Sequence, residues 1–317
     1  MPNATDMAYL RAFGSYLPSR VVDNLELAPM VGADPEWLRT ATGIEQRRFA
    51  AGDETVASLG IRAAKDCLEA TGADVSEVGL VLTASGSGEL RFPGPATSIA
   101  TGLGIPGVPA IDLPMASAGS LFALSLAADL VHRYGTILVV ASEIMSRVVR
   151  LDPMGRDTAI LFGDGAGAAL VSRDTGFATI ADSVLASDGE FAEALKLHLD
   201  TPLHMDGRTI ILHAARKMPR AIAQLLERNK LKADEVGTYI LHQANLNLIT
   251  RVAQALKAPE SKFFCNLNRY GNTSSASMLI VAAEWWRASR KAEAPIVFSA
   301  FGAGLNWGAL LAVPSGS

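Results

Sequence analysis

The chain has 317 residues, 49% of them hydrophobic and 19% charged, a balance that supplies a large core and excludes a disordered protein. Its formal net charge is −4 with Lys and Arg scattered, so it lacks the basic stripe that nucleic-acid phosphates demand. No apolar run approaches membrane-spanning length and Met1–Asp6 carries no secretory pattern, which reads as a soluble, cytoplasmic protein with neither a nucleic-acid nor a membrane partner.

In chain order, Val56–Thr71 is an amphipathic stretch with helical periodicity, and a strand-like run, Ser76-Glu77-Val78-Gly79-Leu80-Val81-Leu82, follows. A small-residue segment around Ser117 then leads into an apolar stretch of helical length. Ile137–Ser142 and Phe162–Val171 read as buried strands. Arg216–Asn229 is a second amphipathic stretch, followed by strand-like runs at Asp234–Ile240, Ile296–Ala300 and Phe301–Leu311. Cys67 and Cys265 are too few for a disulfide framework and read as small buried hydrophobes.

These elements repeat. Ser76–Leu82 is echoed by Asp234–Ile240 at an offset of 158 residues (76 to 234), and Ser117 falls opposite Ser275 at the same offset. Ile137–Ser142 is echoed by Ile296–Ala300 at nearly that spacing. Phe162–Val171 pairs with Phe301–Leu311 only if the first half holds an insertion before its last strand. The pattern predicts two α/β halves, 1–173 and 174–317, each a mostly parallel sheet, burying their sheets against a shared helical layer. Chemistry is expected where the halves meet.

Three segments place reactive groups where strands give way to loops. Taken alone, Ser117 in Asp112-Leu113-Pro114-Met115-Ala116-Ser117-Ala118-Gly119 reads as a helix cap, His242 in Leu241-His242-Gln243-Ala244-Asn245 as a satisfied structural histidine, and Asn272 in Tyr270-Gly271-Asn272-Thr273-Ser274-Ser275 as a capped turn. Together they are a nucleophile, a general base and an amide donor delivered from the loop ends of related halves.

The ordered set "ASAG", "FGDGAGAALV", "HQAN", "YGNTSSAS" and "FGAGLNWG", with "TGIEQRRFA" at 42–50, resembles the β-ketoacyl-acyl-carrier-protein synthase III family of the thiolase superfamily across essentially the whole chain. The resemblance implies a five-layered α/β/α/β/α fold and a homodimer. It also implies a role in fatty-acid or polyketide biosynthesis, in which an acyl-coenzyme A starter is joined to a malonyl group on an acyl carrier protein. Coenzyme A is then a substrate, and no cofactor or metal is called for. Carried over by position, Ser117 stands where the family has its nucleophilic cysteine, and His242 and Asn272 match the pair that assists decarboxylation. The backbone N–H groups of Ser117 and Ala303 match the oxyanion hole. Trp37 and Arg156 match residues flanking the coenzyme A adenine, while Gly207, Arg208, Ala244 and Asn245 match the pantetheine tunnel. Phe92 matches the aromatic that the partner subunit pushes toward the acyl pocket. Ala41 and Asn247 depart from the pattern, standing where arginines near the coenzyme and the carrier protein are common.

Ser117 changes the chemistry. A hydroxyl must lose its proton as it attacks, and an oxyester is a poorer acyl donor than a thioester, so condensation is expected to be slow. Two origins stand side by side: a cysteine exchanged for serine so that substrate is held unreacted, or a serine-bearing relative that moves acyl groups onto a carrier or small acceptor. A non-catalytic partner subunit would be expected to lose His242 and Asn272 as well. A thiolase proper needs a second reactive cysteine that "FGAGLNWG" lacks, and His132, His198, His204, His213 and His242 show no metal-ligand spacing.

Overall fold

The computed structural model describes residues 7–289 and 291–315; Met1–Asp6, read above for a targeting signal, lie outside them. The first half contributes β1 (Ala8–Tyr16), β2 (Arg20–Asp23), α1 (Asn24–Val31), α2 (Pro35–Thr42), β3 (Gln46–Phe49) and α3 (Val56–Glu69). There follow β4 (Leu80–Ala84), α4 (Pro95–Gly102), β5 (Ala110–Leu113), α5 (Gly119–Tyr134), β6 (Thr136–Ile144), α6 (Arg156–Ala159) and β7 (Asp164–Ser172). Next come β8 (Ala178–Ser187), β9 (Leu195–Lys196), β10 (His204–Met205), α7 (Gly207–Arg228), β11 (Thr238–Leu241) and α8 (Leu246–Leu256). The chain closes with α9 (Leu267–Tyr270), α10 (Ser277–Ser289), β12 (Ile296–Gly302) and β13 (Asn306–Pro314).

The repeat is visible in the strand order, β11-β12-β13-β8-β1-β7-β6-β4-β5. Read outward from the β1–β8 junction, one arm runs β1-β7-β6-β4 and the other β8-β13-β12-β11, so equivalent strands occupy equivalent places. The junction is short, Ala8–Leu10 against Ala178–Ile180. Every residue of β4, β6, β7 and β12 is buried, as strands covered on both faces must be. Helix α3 packs on β1, β7 and β6, and α7 packs on β13, β8 and β12. Helix α5 touches strands of both arms and packs with α10 between them. That order, helix, sheet, paired helices, sheet, helix, is the five-layered arrangement expected.

Two expectations need correcting. The sheet is mixed rather than mostly parallel: β4 runs parallel to β5 and β6, and β11 to β12, but β6–β7, β1–β7, β12–β13, β13–β8 and β1–β8 are antiparallel. The reason is that the connection from β6 to β7 is not a crossover helix but an excursion through 145–163 that returns the chain beside the strand it left. Helix α7 also begins well before Arg216, at the Asp206 cap whose carboxylate accepts the Thr209 N–H. Among the described residues no helix is long and apolar enough to cross a membrane.

Candidate active site

Between β5 and α5 the chain turns through Pro114–Ala118, and Ser117 sits there with φ 61°, in the left-handed region. That conformation costs a non-glycine residue about 1–2 kcal/mol and persists only where the surroundings enforce it. The Ser117 N–H donates to Ser274 Oγ at 3.0 Å, pinning the turn to the opposite half. The end of β12 presses on it from another side: a Cβ on Gly302 would lie 2.2 Å from the Ala116 carbonyl oxygen and 2.9 Å from Ser117 Cβ, so only glycine fits. The helix cap is Ala118, which makes no side-chain cap bond. Ser117 is therefore not a capping residue, and its hydroxyl has no hydrogen-bond partner among the described residues although the residue is only 6% exposed.

His242 follows β11, and its N–H bonds to Ser299 O on β12, which extends the parallel ladder into the loop. The residue is 4% exposed, and burial pulls its imidazole down to about 4, so the ring is neutral near pH 7. Ring Nδ1 lies 2.6 Å from Ser277 Oγ at the start of α10, which leaves Nε2 as the other ring nitrogen. Asn272 is held at both ends of its peptide unit, its N–H on Leu161 O and its carbonyl on Gly163 N–H. Its side-chain Oδ1 accepts the Ser274 N–H at 2.9 Å, so the amide NH₂ is the end that remains free to donate.

Ser117, His242 and Asn272 line one cavity of about 530 Å³. Its walls are mostly apolar, formed by Phe162, Phe301, Leu248 and Ile210 among others; Trp37, Gly207, Arg208, Ala244 and Asn245 also border it, as do the acidic residues Asp157 and Asp206. Arg47 explains the "TGIEQRRFA" segment: it is fully buried and donates to Asn24 Oδ1 and Ile160 O, fixing the Ile160–Phe162 wall. Burial lowers that guanidinium to about 10.

Several expected site residues stand differently from the simple reading. Arg156 lies directly over the Trp37 ring, 5.5 Å from guanidinium carbon to centroid, so an adenine enters between them only if Arg156 swings away. The Ser117 N–H is already bonded to Ser274, so it serves an oxyanion only by sharing that hydrogen bond. Ala303 follows Gly302 in the turn against Ser117, with its carbonyl held by Asn306 Nδ2. Phe92 is 84% exposed and does not line this cavity. Asn247, like Asn245, donates its side-chain amide to Ala41 O, tying α8 to α2 where charged side chains were the family expectation. Ser274 and Ser277 lie inside the quoted "YGNTSSAS" segment, yet no local signal assigned them to Ser117 and His242. Among the described residues no cluster of His, Cys, Asp and Glu fits a metal ion.

Two repeat-related arms packed around shared central helices define the thiolase-like class of fold, with Ser117, His242 and Asn272 bordering one cavity between them. The chain belongs to the 3-oxoacyl-[acyl-carrier-protein] synthase III family, whose family pattern matches residues 111–189 and whose C-terminal pattern matches 226–313. It is 37% identical to "Beta-ketoacyl-[acyl-carrier-protein] synthase III" of Oleidesulfovibrio alaskensis, covering 97% of this chain and 99% of that protein. The crystal structure of 3-oxoacyl-[acyl-carrier-protein] synthase III from Aquifex aeolicus superposes with a TM-score of 0.92 at 33% identity, covering 96% of this chain and 99% of the other. The priming β-ketosynthase from the R1128 polyketide pathway does so with a TM-score of 0.90 at 32% identity, covering 98% and 97%.

Proposed function

We propose that this chain takes an acyl group from coenzyme A onto Ser117 and passes it to a malonyl group carried on an acyl carrier protein, as a homodimer without a bound cofactor. The observation that carries the reading is the one largely apolar cavity that Ser117, His242 and Asn272 share with Trp37 and Arg208. A pantetheine arm is long, thin and largely neutral, and such a passage suits it. In the first step Ser117 Oγ attacks the thioester carbon as its proton passes to His242 Nε2. The C–S bond breaks, the coenzyme A sulfur takes the proton, and an acyl oxyester remains. In the second step malonyl-thioester loses carbon dioxide, and the electron pair left on its C2 forms a bond to the oxyester carbon. Ser117 oxygen leaves and takes a proton from water. Asn272 Nδ2 and His242 Nε2 donate to the thioester oxygen that gathers charge in decarboxylation, and the Ala303 and Ser117 N–H groups to the oxyanion at the acyl carbon.

Serine limits the second step. Its oxygen is a poorer leaving group than a thiolate sulfur, so carbon–carbon bond formation is slow relative to loading. A neutral, buried His242 able to accept the Ser117 proton favours one further reading, a serine-dependent acyltransferase that hands the acyl group to a carrier thiol or a small acceptor.

Intact-protein mass measurement after incubation with a panel of acyl-coenzyme A thioesters tests both. The expected result is an acyl mass increment that is lost in Ser117→Ala. Ser117→Cys is expected to load faster and, with malonyl-thioester added, to release carbon dioxide and a 3-oxoacyl product. If Ser117→Cys loads yet condenses with no malonyl-thioester while the serine form acylates another acceptor, the acyltransferase reading replaces the synthase. If neither form loads any donor, a non-catalytic partner subunit becomes the better reading.

A further inference from the structure

Glu143, the penultimate residue of β6, is a fully buried carboxylate that the proposed chemistry does not use. Its contacts are neutral donors. Oε1 accepts the N–H of Gly86 at 3.1 Å and, from Ser275, the N–H at 3.2 Å and the hydroxyl at 2.7 Å. Oε2 accepts the N–H groups of Gly86 and Ser87 at 3.0 and 2.9 Å, the Ser85 hydroxyl at 3.3 Å and the Ser87 hydroxyl. A buried carboxylate is costly unless donors surround it, and an apolar residue of similar shape would serve packing at least as well. The donors come from two places: the loop after β4, and Ser275.

Ser275 is the centre of the turn that carries the active site. Asn272 lies three residues before it, Ser274 beside it holds the Ser117 N–H, and Ser277 two residues after it holds the His242 ring. We propose that Glu143 is a positioning residue: its carboxylate, gripped by the 85–87 loop, holds Ser275 and so sets the Asn272–Ser277 turn in the one register that places Asn272, Ser274 and Ser277 against nucleophile and base. The proposal deepens the function proposed above and rests on it.

The test uses the full chain with Glu143→Gln and Glu143→Asp. In Glu143→Gln an amide NH₂ replaces one oxygen and faces N–H donors, so the turn shifts. The acyl loading rate is expected to fall about 100-fold, the scale of a misplaced catalytic constellation. The acyl-coenzyme A concentration giving half-maximal rate is expected to stay near the wild-type value, because Trp37 and Arg208 are untouched. Glu143→Asp, which keeps a carboxyl group for the same donors, recovers part of the rate. Hydrogen exchange in Glu143→Gln is expected to rise in peptides covering 270–278 while those covering β4 and β7 keep their protection. Unchanged exchange at 270–278, or wild-type loading by Glu143→Gln, overturns the proposal, as does loss of protection throughout the sheet without recovery in Glu143→Asp. If the wild-type chain loads no donor, the functional reading fails by itself, and the exchange measurement still decides whether Glu143 holds the turn.

Discussion

His242 Nδ1 lies 2.6 Å from Ser277 Oγ, and the same hydroxyl accepts the Gln243 N–H at 3.0 Å. Ser277 thereby bears on the histidine tautomer, together with the Ser274 backbone, which also hydrogen-bonds the ring. With Nδ1–H donated to Ser277, Nε2 is a bare base for the Ser117 proton; with the Ser277 proton given to Nδ1, Nε2–H is a donor to a carbonyl oxygen. Passing from the first role to the second requires the ring to lose its Nδ1 proton and take one at Nε2, by exchange with solvent or substrate, as the Ser277 hydroxyl turns from acceptor to donor. Ser277→Ala is expected to lower the loading rate about 100-fold, the size of a general-base contribution. The loss of stability should be roughly 2–4 kcal/mol, because the buried His242 ring nitrogen and Gln243 N–H both lose their partner. Mass-resolved loading kinetics beside urea denaturation measure the two, and a variant that loads at the wild-type rate would show that the tautomer is set elsewhere.

The depressed His242 value, about 4 against an ordinary 6.5, makes a prediction of definite sign. Between those pH values the unfolded chain binds the proton and the folded chain does not, so stability is intact above about 6.5 and declines as the pH falls toward 4. Comparing wild type with His242→Gln from pH 7 to pH 4, the wild type should lose more stability, by on the order of 3 kcal/mol. Acyl loading should also stay level as pH drops through 6.5, the ordinary histidine value, where a solvent-exposed histidine base would lose activity. A loading rate that halves at 6.5 would mean that the ring is solvated in the working enzyme.

Trp37 and Arg156 stack on each other, so an adenine bound between them, as the proposed coenzyme A donor would bind, exchanges one cation–π contact for another. Replacing both in a Trp37→Ala, Arg156→Ala variant is expected to weaken coenzyme A binding about tenfold, since such contacts are worth roughly 1–2 kcal/mol when partly desolvated. Titration calorimetry reads this directly. Unchanged affinity would favour a donor delivered on a carrier protein.

Strand β5 ends the nine-stranded sheet, leaving one row of its backbone groups unpaired by any other strand of the sheet, and Ile111 on it, with Leu90 and Phe92 nearby, is exposed. A second copy covering this edge would bury those apolar groups. Light scattering at micromolar concentration is expected to give twice the chain mass, and Phe92→Asp to shift the balance toward the monomer. A wild-type chain that scatters as a monomer removes the dimer and the role assigned to Phe92.

Much of this molecule is written locally. The Val, Ile and Leu runs that become β4, β6, β11 and β12 are legible because burial on both faces leaves few polar positions to interrupt them, with Thr83, Ser142, Glu143 and Ser299 among the buried exceptions. The echo at 158 residues (76 to 234) exposes the two arms before any strand is paired. Ser117, His242 and Asn272 stand out because reactive side chains interrupt otherwise small or apolar segments. Strand direction is misread from the sequence as mostly parallel, and strand partnership is not legible in it at all. Whether the 145–163 excursion returns beside β6 or crosses over is decided by what it packs against, and hydrophobic periodicity is blind to that. Ser117 reads as a cap in sequence because a serine before a helix usually is one; its left-handed turn comes from Ser274 and Gly302, which no local pattern can bring to it. The bonds that finish the site span 157 residues from Ser117 to Ser274, 35 from His242 to Ser277 and 132 from Glu143 to Ser275. A hydrogen bond needs its donor and acceptor within about 3 Å, and only the packed sheets and central helices bring groups so distant in the chain that close.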